Sequence, residues 1–153
     1  IRDRAERLAL EERSVLEITF EDELSQEGIG RVGILPECMT LRECASYVKE
    51  TFDLDTVKVF GEEDRKVRKA AVVPGAGKDY IRQAVRAGAD VYITGDIGHH
   101  DGIDALEQGL TIIDAGHFGV EQIFVPYMKE FLSRELPSLH LLSARQQEPF
   151  WYE

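Results

Sequence analysis

The stretch ADVYITGDIGHHDGIDALEQGLTIIDAGHFGVE, residues 89–121, decides the fold. Two short apolar runs within it, Asp90–Thr94 and Leu110–Asp114, read as buried strands. They are bounded by turn residues, rich in β-branched side chains and too short for buried helices. Between them, residues 101–108 carry a short helical pattern closed by Gly109. Strand, helix and strand in that order make a βαβ unit, whose strands lie parallel. Each run hands over to a polar turn: Thr94-Gly-Asp96-Ile-Gly-His99-His100-Asp101 after the first, Asp114-Ala-Gly-His117 after the second. Open α/β sheets place their chemistry on such turns, at the carboxyl ends of the strands. Three of the four histidines in the chain fall there.

The flanking sequence extends the pattern. Val67–Val73 is a strand, followed by the turn Pro74-Gly-Ala-Gly77 and a helix to about Ala87, which Gly88 stops. Thr40 opens an earlier helix with Glu43 as its capping-box partner, and Leu41, Cys44, Ala45 and Val48 make its apolar face. Thr56–Phe60 reads as a short strand, Ser14–Phe20 as a half-buried one and residues 1–10 as the tail of a helix. Residues 21–36 are acidic, then Gly-rich, and end at Pro36; they read as a connection with room for one short strand. Downstream, a long helix runs from the His117 turn to about Glu135, with Pro126 in its early portion marking a bend or restart. Leu139–Ser143 and Phe150–Tyr152 are the expected closing strands, with His140 a structural residue in the first. The fold class is α/β: a mixed, largely parallel sheet with flanking helices.

Composition narrows the function. The 153 residues are 43% hydrophobic and 31% charged, a globular balance with room for a proper core. Acids outnumber bases by 29 to 18, a net charge of −11, and no basic stripe is visible. That argues against an unaided nucleic-acid binder. Cys38 and Cys44 are too few and isolated for a disulfide framework or a cysteine zinc site, and Cys44 lies on the apolar helix face. No run approaches a membrane span and no signal peptide is visible, so a cytoplasmic location is expected. The chain opens inside a helical pattern without an initiator methionine, as a piece of a longer protein would.

His117 and Glu121 are spaced so that a helix starting near His117 puts them on one face. Imidazole nitrogen with carboxylate oxygen suits zinc, iron or manganese. The helix N-terminus opposes a cation, so carboxylates such as Glu121 and Asp114 would have to offset it. The competing reading makes His117 a cap and Glu121 an acid matched to the dipole. His99 and His100 are adjacent, and at most one of an extended pair reaches a shared ion. Asp96 and Asp101 flank them as candidates for orientation or proton transfer, and Asp101 serves equally as the cap of the next helix. Pro74-Gly-Ala-Gly-Lys78 fails the phosphate-loop pattern, since Ala71 stands where its first glycine belongs and Asp79 where its Ser/Thr belongs. A tight turn or a weak anion nest is the better reading.

At these residues the chain resembles the NGG-interacting-factor-three-like, dinuclear-metal proteins, known in bacteria as GTP cyclohydrolase I type 2 homologues. The matching stretches are Gly28-Ile-Gly-Arg-Val-Gly33, Met39-Thr-Leu41, Ala89–Asp96 with His99-His100-Asp101, Asp114-Ala-Gly-His117 with Glu121, and the closing Glu148-Pro-Phe-Trp-Tyr152. The resemblance implies that His117 and Glu121 are metal ligands in a site holding two divalent ions per intact subunit. The other ligands belong to a first half with no counterpart here. It also implies that residues 1–27 end a preceding lobe or connection and 28–153 form the C-terminal lobe of a two-lobed protein. Asp96, His99 and His100 are then catalytic candidates near the site. A metal-dependent hydrolase acting on a purine nucleotide, assembled as a toroidal hexamer, is the implied function. The alternative is a non-enzymatic metal-handling or scaffold protein forming an oligomeric ring.

Overall fold

The computed structural model describes residues 2–148, 150 and 151. The elements run α1 (Arg2–Arg7), β1 (Glu11–Glu21), β2 (Gln26–Thr40), α2 (Leu41–Phe52), β3 (Lys58–Phe60), β4 (Lys66–Ala76), a 3-10 turn (Gly77–Tyr80), α3 (Ile81–Arg86), β5 (Val91–Gly95), α4 (His99–Glu107), β6 (Thr111–Asp114), α5 (Gly116–Glu121) and α6 (Phe124–Glu135). They divide into two compact units, residues 1–120 and 121–153.

The first unit is built on one mixed six-stranded sheet, ordered β1-β2-β4-β5-β6-β3. Its parallel heart is β4-β5-β6, the βαβ arrangement expected from residues 89–121. The β1–β2, β2–β4 and β3–β6 pairs are antiparallel. Both faces of the heart are covered, so β5 and β6 are buried along their whole length and read as continuous apolar runs. Successive side chains alternate between the two layers. Val91, Ile93 and Ile113 pack with α1 and α2 on one face, while Tyr92 and Ile112 pack with α3 and α4 on the other.

Helix α2 forms as its sequence dictates. Thr40 Oγ1 accepts the Glu43 N–H, and the Glu43 carboxylate accepts the Thr40 N–H at 2.7 Å, closing the capping box. Its buried face is Leu41, Cys44, Ala45, Val48 and Phe52. Each large side chain there contributes about 1.5–3 kcal/mol through removal from water. Asp53, in the left-handed conformation, ends it.

Residues 21–36, expected as a connection with room for one short strand, lie mostly within a fifteen-residue strand, Gln26–Thr40. Gly28 and Gly33 lie where β1 comes close, a Cβ on Gly28 standing 1.9 Å from the Glu17 carbonyl oxygen, while Gly30, with φ at +69°, meets Val73 of β4. Pro36 is tolerated because pairing with β4 lapses between Ile34 and Met39.

The second unit is built on α6. The long helix expected after His117, with a bend or restart near Pro126, is broken by a turn at Gln122–Ile123 and restarts at Phe124. Pro126 then sits in the first turn of α6, where its missing N–H breaks no helical bond. No residue of α6 is buried, and Phe124, Tyr127 and Phe131 are exposed. Among the described residues the closing segments form no strand: Leu139–Ser143 has no ladder, and neither do Phe150 and Trp151. Leu139 and Leu142 are exposed, and apolar sequence without a neighbouring strand to pair with does not make a sheet. His140, expected within a strand, lies exposed in this irregular segment, and Tyr152 falls outside the described residues.

Candidate functional site

The turns after the three parallel strands meet at one edge of the sheet. The Ala115 N–H donates to the Thr94 carbonyl at 2.8 Å, locking the end of β6 beside the end of β5. Gly95 makes this approach close. A Cβ there would stand 2.6 Å from the Gly116 carbonyl carbon and the His117 nitrogen, so only glycine fits without moving backbone. Asp96 follows with φ at +56°, a left-handed conformation unusual for a residue other than glycine, asparagine or aspartate. From there its carboxylate reaches across the edge, and Asp96 Oδ2 lies 3.0 Å from His117 Nδ1. Both side chains are about half exposed.

Asp114 is the hub beneath this pair. Its side chain is 5% exposed and ends the otherwise apolar β6. Oδ1 accepts the N–H groups of Asp96 at 2.9 Å and Gly116 at 3.0 Å. Oδ2 accepts the Ile97 N–H at 2.9 Å and faces Lys58 Nζ at 2.8 Å. Lys58 lies opposite Asp114 in the β3–β6 register and also donates to the Ile97 carbonyl at 2.7 Å. One buried carboxylate thus ties together both turns and the neighbouring strand.

From behind, Arg4 fixes helix α5. Its guanidinium, buried, donates to the carbonyls of Gly119 at 2.6 Å and Val120 at 3.1 Å, and it stacks on the Phe52 ring at 4.2 Å. The Gly-rich turn after β4 is likewise tied to β5. Tyr92 Oη donates to the Gly77 carbonyl at 2.8 Å and Thr94 Oγ1 to the Gly75 carbonyl at 3.3 Å. Burial pushes the Tyr92 phenol well above its ordinary range, so it stays a donor. This turn is a tight structural one.

The structure separates the sequence-predicted residues into groups. Asp96 pairs with His117. His99 and His100 are the first two residues of α4, exposed, and their rings meet edge to face at 5.4 Å. The helix starts two residues earlier than expected and Gly98 is its N-cap, so Asp101, a possible cap from sequence, lies in its first turn with its carboxylate over Gly98. Glu121 is the last residue of α5, exposed, and belongs to the second unit, four positions after His117 along the helix. Among the described residues, no group of three or more His, Cys, Asp or Glu side chains gathers around a common point. Imidazole and carboxylate are donors that divalent zinc, iron or manganese accept, so the residue types fit such an ion. Their number supplies only part of a ligand set.

Sequence reasoning missed Lys58 and Arg4, and gave Asp114 only a charge-balancing role. The available signal was Asp114 itself, a carboxylate closing a run of four buried strand positions.

Alternating helices around a mixed sheet, with polar side chains gathered at the carboxyl edge of its parallel strands, define an α/β protein with a candidate site at that edge. The sequence matches the family described as Duf34/NIF3 (NGG1p interacting factor 3) over residues 3–149, and the chain belongs to that family. It is 44% identical over 115 residues to the GTP cyclohydrolase 1 type 2 homolog of Bacillus subtilis strain 168, covering 75% of this chain and 30% of the relative. The homolog from Clostridium acetobutylicum is 40% identical over 135 residues, covering 85% and 50% respectively. Among solved structures, a Bacillus cereus protein related to NIF3 superposes with a TM-score of 0.75 at 36% identity, covering 88% of this chain and 38% of that one. The matches span half or less of the length of these relatives.

Proposed function

We propose that this chain contributes part of a divalent-metal site to a metal-dependent hydrolase-like protein, with His117 and Glu121 as ligands. The observation that carries the reading is the imidazole held on Nδ1 by Asp96 at the carboxyl edge of the sheet, 3.0 Å away. A carboxylate engaging one ring nitrogen is how metal-ligating histidines are commonly oriented. The names of the curated relatives point to a purine nucleotide, GTP, as the substrate class. In this reading the intact subunit holds two ions of zinc, iron or manganese. The remaining ligands come from sequence outside this chain, and the subunits assemble as a cytoplasmic ring of six.

A bound ion of this class supplies a water of lowered pKa and a Lewis acid toward developing negative charge. The residues of this chain prepare the place. Asp114 and Lys58 fix the two turns, Asp96 orients His117, and Arg4 anchors the helix that carries it. His99 and His100, exposed on the first turn of α4, are candidates for contact with substrate, and Asp96 is a candidate for proton transfer.

A second reading, reversible metal handling or scaffolding without turnover, is favoured by the half exposure of Asp96 and His117. One experiment separates the two. The full-length protein bearing this sequence is purified and its metal content measured. It is then incubated with GTP after loading with zinc, iron or manganese, and products are followed by chromatography. The hydrolase reading expects two metals per subunit and consumption of GTP. Metal bound and exchanged without turnover on any nucleotide overturns it in favour of handling. A His117→Ala protein that keeps both metals overturns the ligand assignment.

A further inference from the structure

We infer that the aromatic face of α6, formed by Phe124, Tyr127 and Phe131, is an intramolecular docking surface, covered in the intact subunit by an apolar segment of the polypeptide outside this chain. The inference takes from the proposed reading only that the intact subunit extends beyond these 153 residues. It needs neither metal nor turnover.

Of the thirteen large hydrophobic residues exposed among those described, eight fall at or beyond Phe124. Large apolar side chains gathered in so short a segment mark a surface built for contact. Within it, α6 supplies a regular face. Phe124, Tyr127 and Phe131 recur at i, i+3 and i+7, which stacks them along one side of the helix. They are 63%, 55% and 37% exposed, and Arg134 lies over the Phe131 ring at 5.6 Å. The adjoining flank, Val125, Met128 and Leu132, is half-buried, while Lys129, Glu130 and Ser133 take the opposite side. The apolar arc thus has one partly covered flank and one bare flank. A helix of twelve residues is marginal in water on its own and gains its stability by burying such an arc.

Area and chain length decide what covers the bare flank. With a whole aromatic side chain at about 200 Å², the exposed parts of the three present roughly 300 Å². A stable contact between separate chains needs about 800 Å² on each partner. This face is therefore too small to hold a second copy by itself. A segment of the same subunit meets it at high effective concentration and needs no such area. Half or more of each relative's length lies outside the region this chain matches, so polypeptide of that kind is at hand. No charged side chain stands between Phe124 and Phe131 on this face, so the segment that covers it presents aliphatic or aromatic side chains.

The test is hydroxyl-radical footprinting of the full-length protein bearing this sequence, native and urea-unfolded, with oxidation read residue by residue by mass spectrometry. Buried Phe52, 1% exposed, is the internal reference. Native Phe124 and Tyr127 are expected to lose their reactivity down to the level of Phe52. The protection should persist on dilution to single subunits, as sedimentation checks. Reactivity near half that of the unfolded protein, as the exposures in this chain call for, overturns the inference. Protection that vanishes on dilution also overturns it, because a second copy is then the cover. Full-length Tyr127→Asp should lower Tm, since it sets a charge into the covered face, whereas Lys129→Gln on the opposite side should leave Tm unchanged. A Tyr127→Asp protein as stable as the wild type overturns the inference. Metal enters neither measurement, so failure here is distinct from failure of the metal reading.

Discussion

Asp114→Asn tests the hub beneath the site. The substitution keeps size and shape but makes one of the two side-chain oxygens an NH2 group. With the remaining oxygen at the Oδ1 position, the bonds from the Asp96 and Gly116 N–H groups survive. The new NH2 then faces the Ile97 N–H and Lys58 Nζ, donor against donor. Ile97 is 2% exposed, so its N–H cannot turn to water, and an unsatisfied buried donor costs about 1–3 kcal/mol. Lys58 is 56% exposed and rehydrates, so losing its ion pair adds at most about 1 kcal/mol. Turning the amide over breaks the other two bonds instead, at no smaller cost. The expected loss is therefore about 2–4 kcal/mol, or roughly 5–15 °C in Tm for a chain of this size. Urea and thermal unfolding followed by circular dichroism measure it. Lys58→Met is the companion and should lose about 1 kcal/mol or less. A loss below about 1 kcal/mol for Asp114→Asn, or equal losses for the two variants, refutes the claim that the buried backbone bonds dominate.

Three further outcomes are expected. Gly95→Ala places a methyl group 2.6 Å from backbone atoms of Gly116 and His117, so it should cost about 1–3 kcal/mol and shift the His117 amide and ring resonances; unperturbed His117 signals would contradict the close approach. Burial pushes the Cys44 thiol up to about 12, whereas Cys38 is exposed, so a disulfide reagent at neutral pH should react rapidly with one thiol per folded chain and with both after unfolding. The backbone N–H and hydroxyl of Thr40 hold the Glu43 carboxylate below its usual range. The unfolded chain therefore takes up that proton at higher pH than the folded one. The stabilisation is present above the ordinary glutamate range and is lost as pH falls through the lowered value. In acid titrations of Tm, Glu43→Gln should lose this part of the slope, and an unchanged slope would show that the capping box does not titrate.

What the sequence determined by itself was what depends on local pattern. The parallel heart was legible because β5 and β6 are buried on both faces, which forces uninterrupted apolar runs such as Val91–Gly95. The α2 cap was legible because Thr40 and Glu43 satisfy each other within one turn of chain. The edge that carries polar chemistry followed from the strand–helix–strand order alone. What only the tertiary structure decided was what depends on neighbours distant in sequence. The glycines of β2 concealed a strand, because the crowding that requires them comes from β1 and β4. Leu139–Ser143 suggested a strand, and none formed without a ladder to join. From sequence, Asp96 was grouped with His99 and His100, its neighbours along the chain. The fold turned it instead toward His117, because β5 and β6 lie side by side and the buried Asp114 binds both turns at once. A hydrogen bond across twenty-one residues has no periodicity to announce it, so adjacency in space, set by sheet pairing, decided which carboxylate meets which histidine.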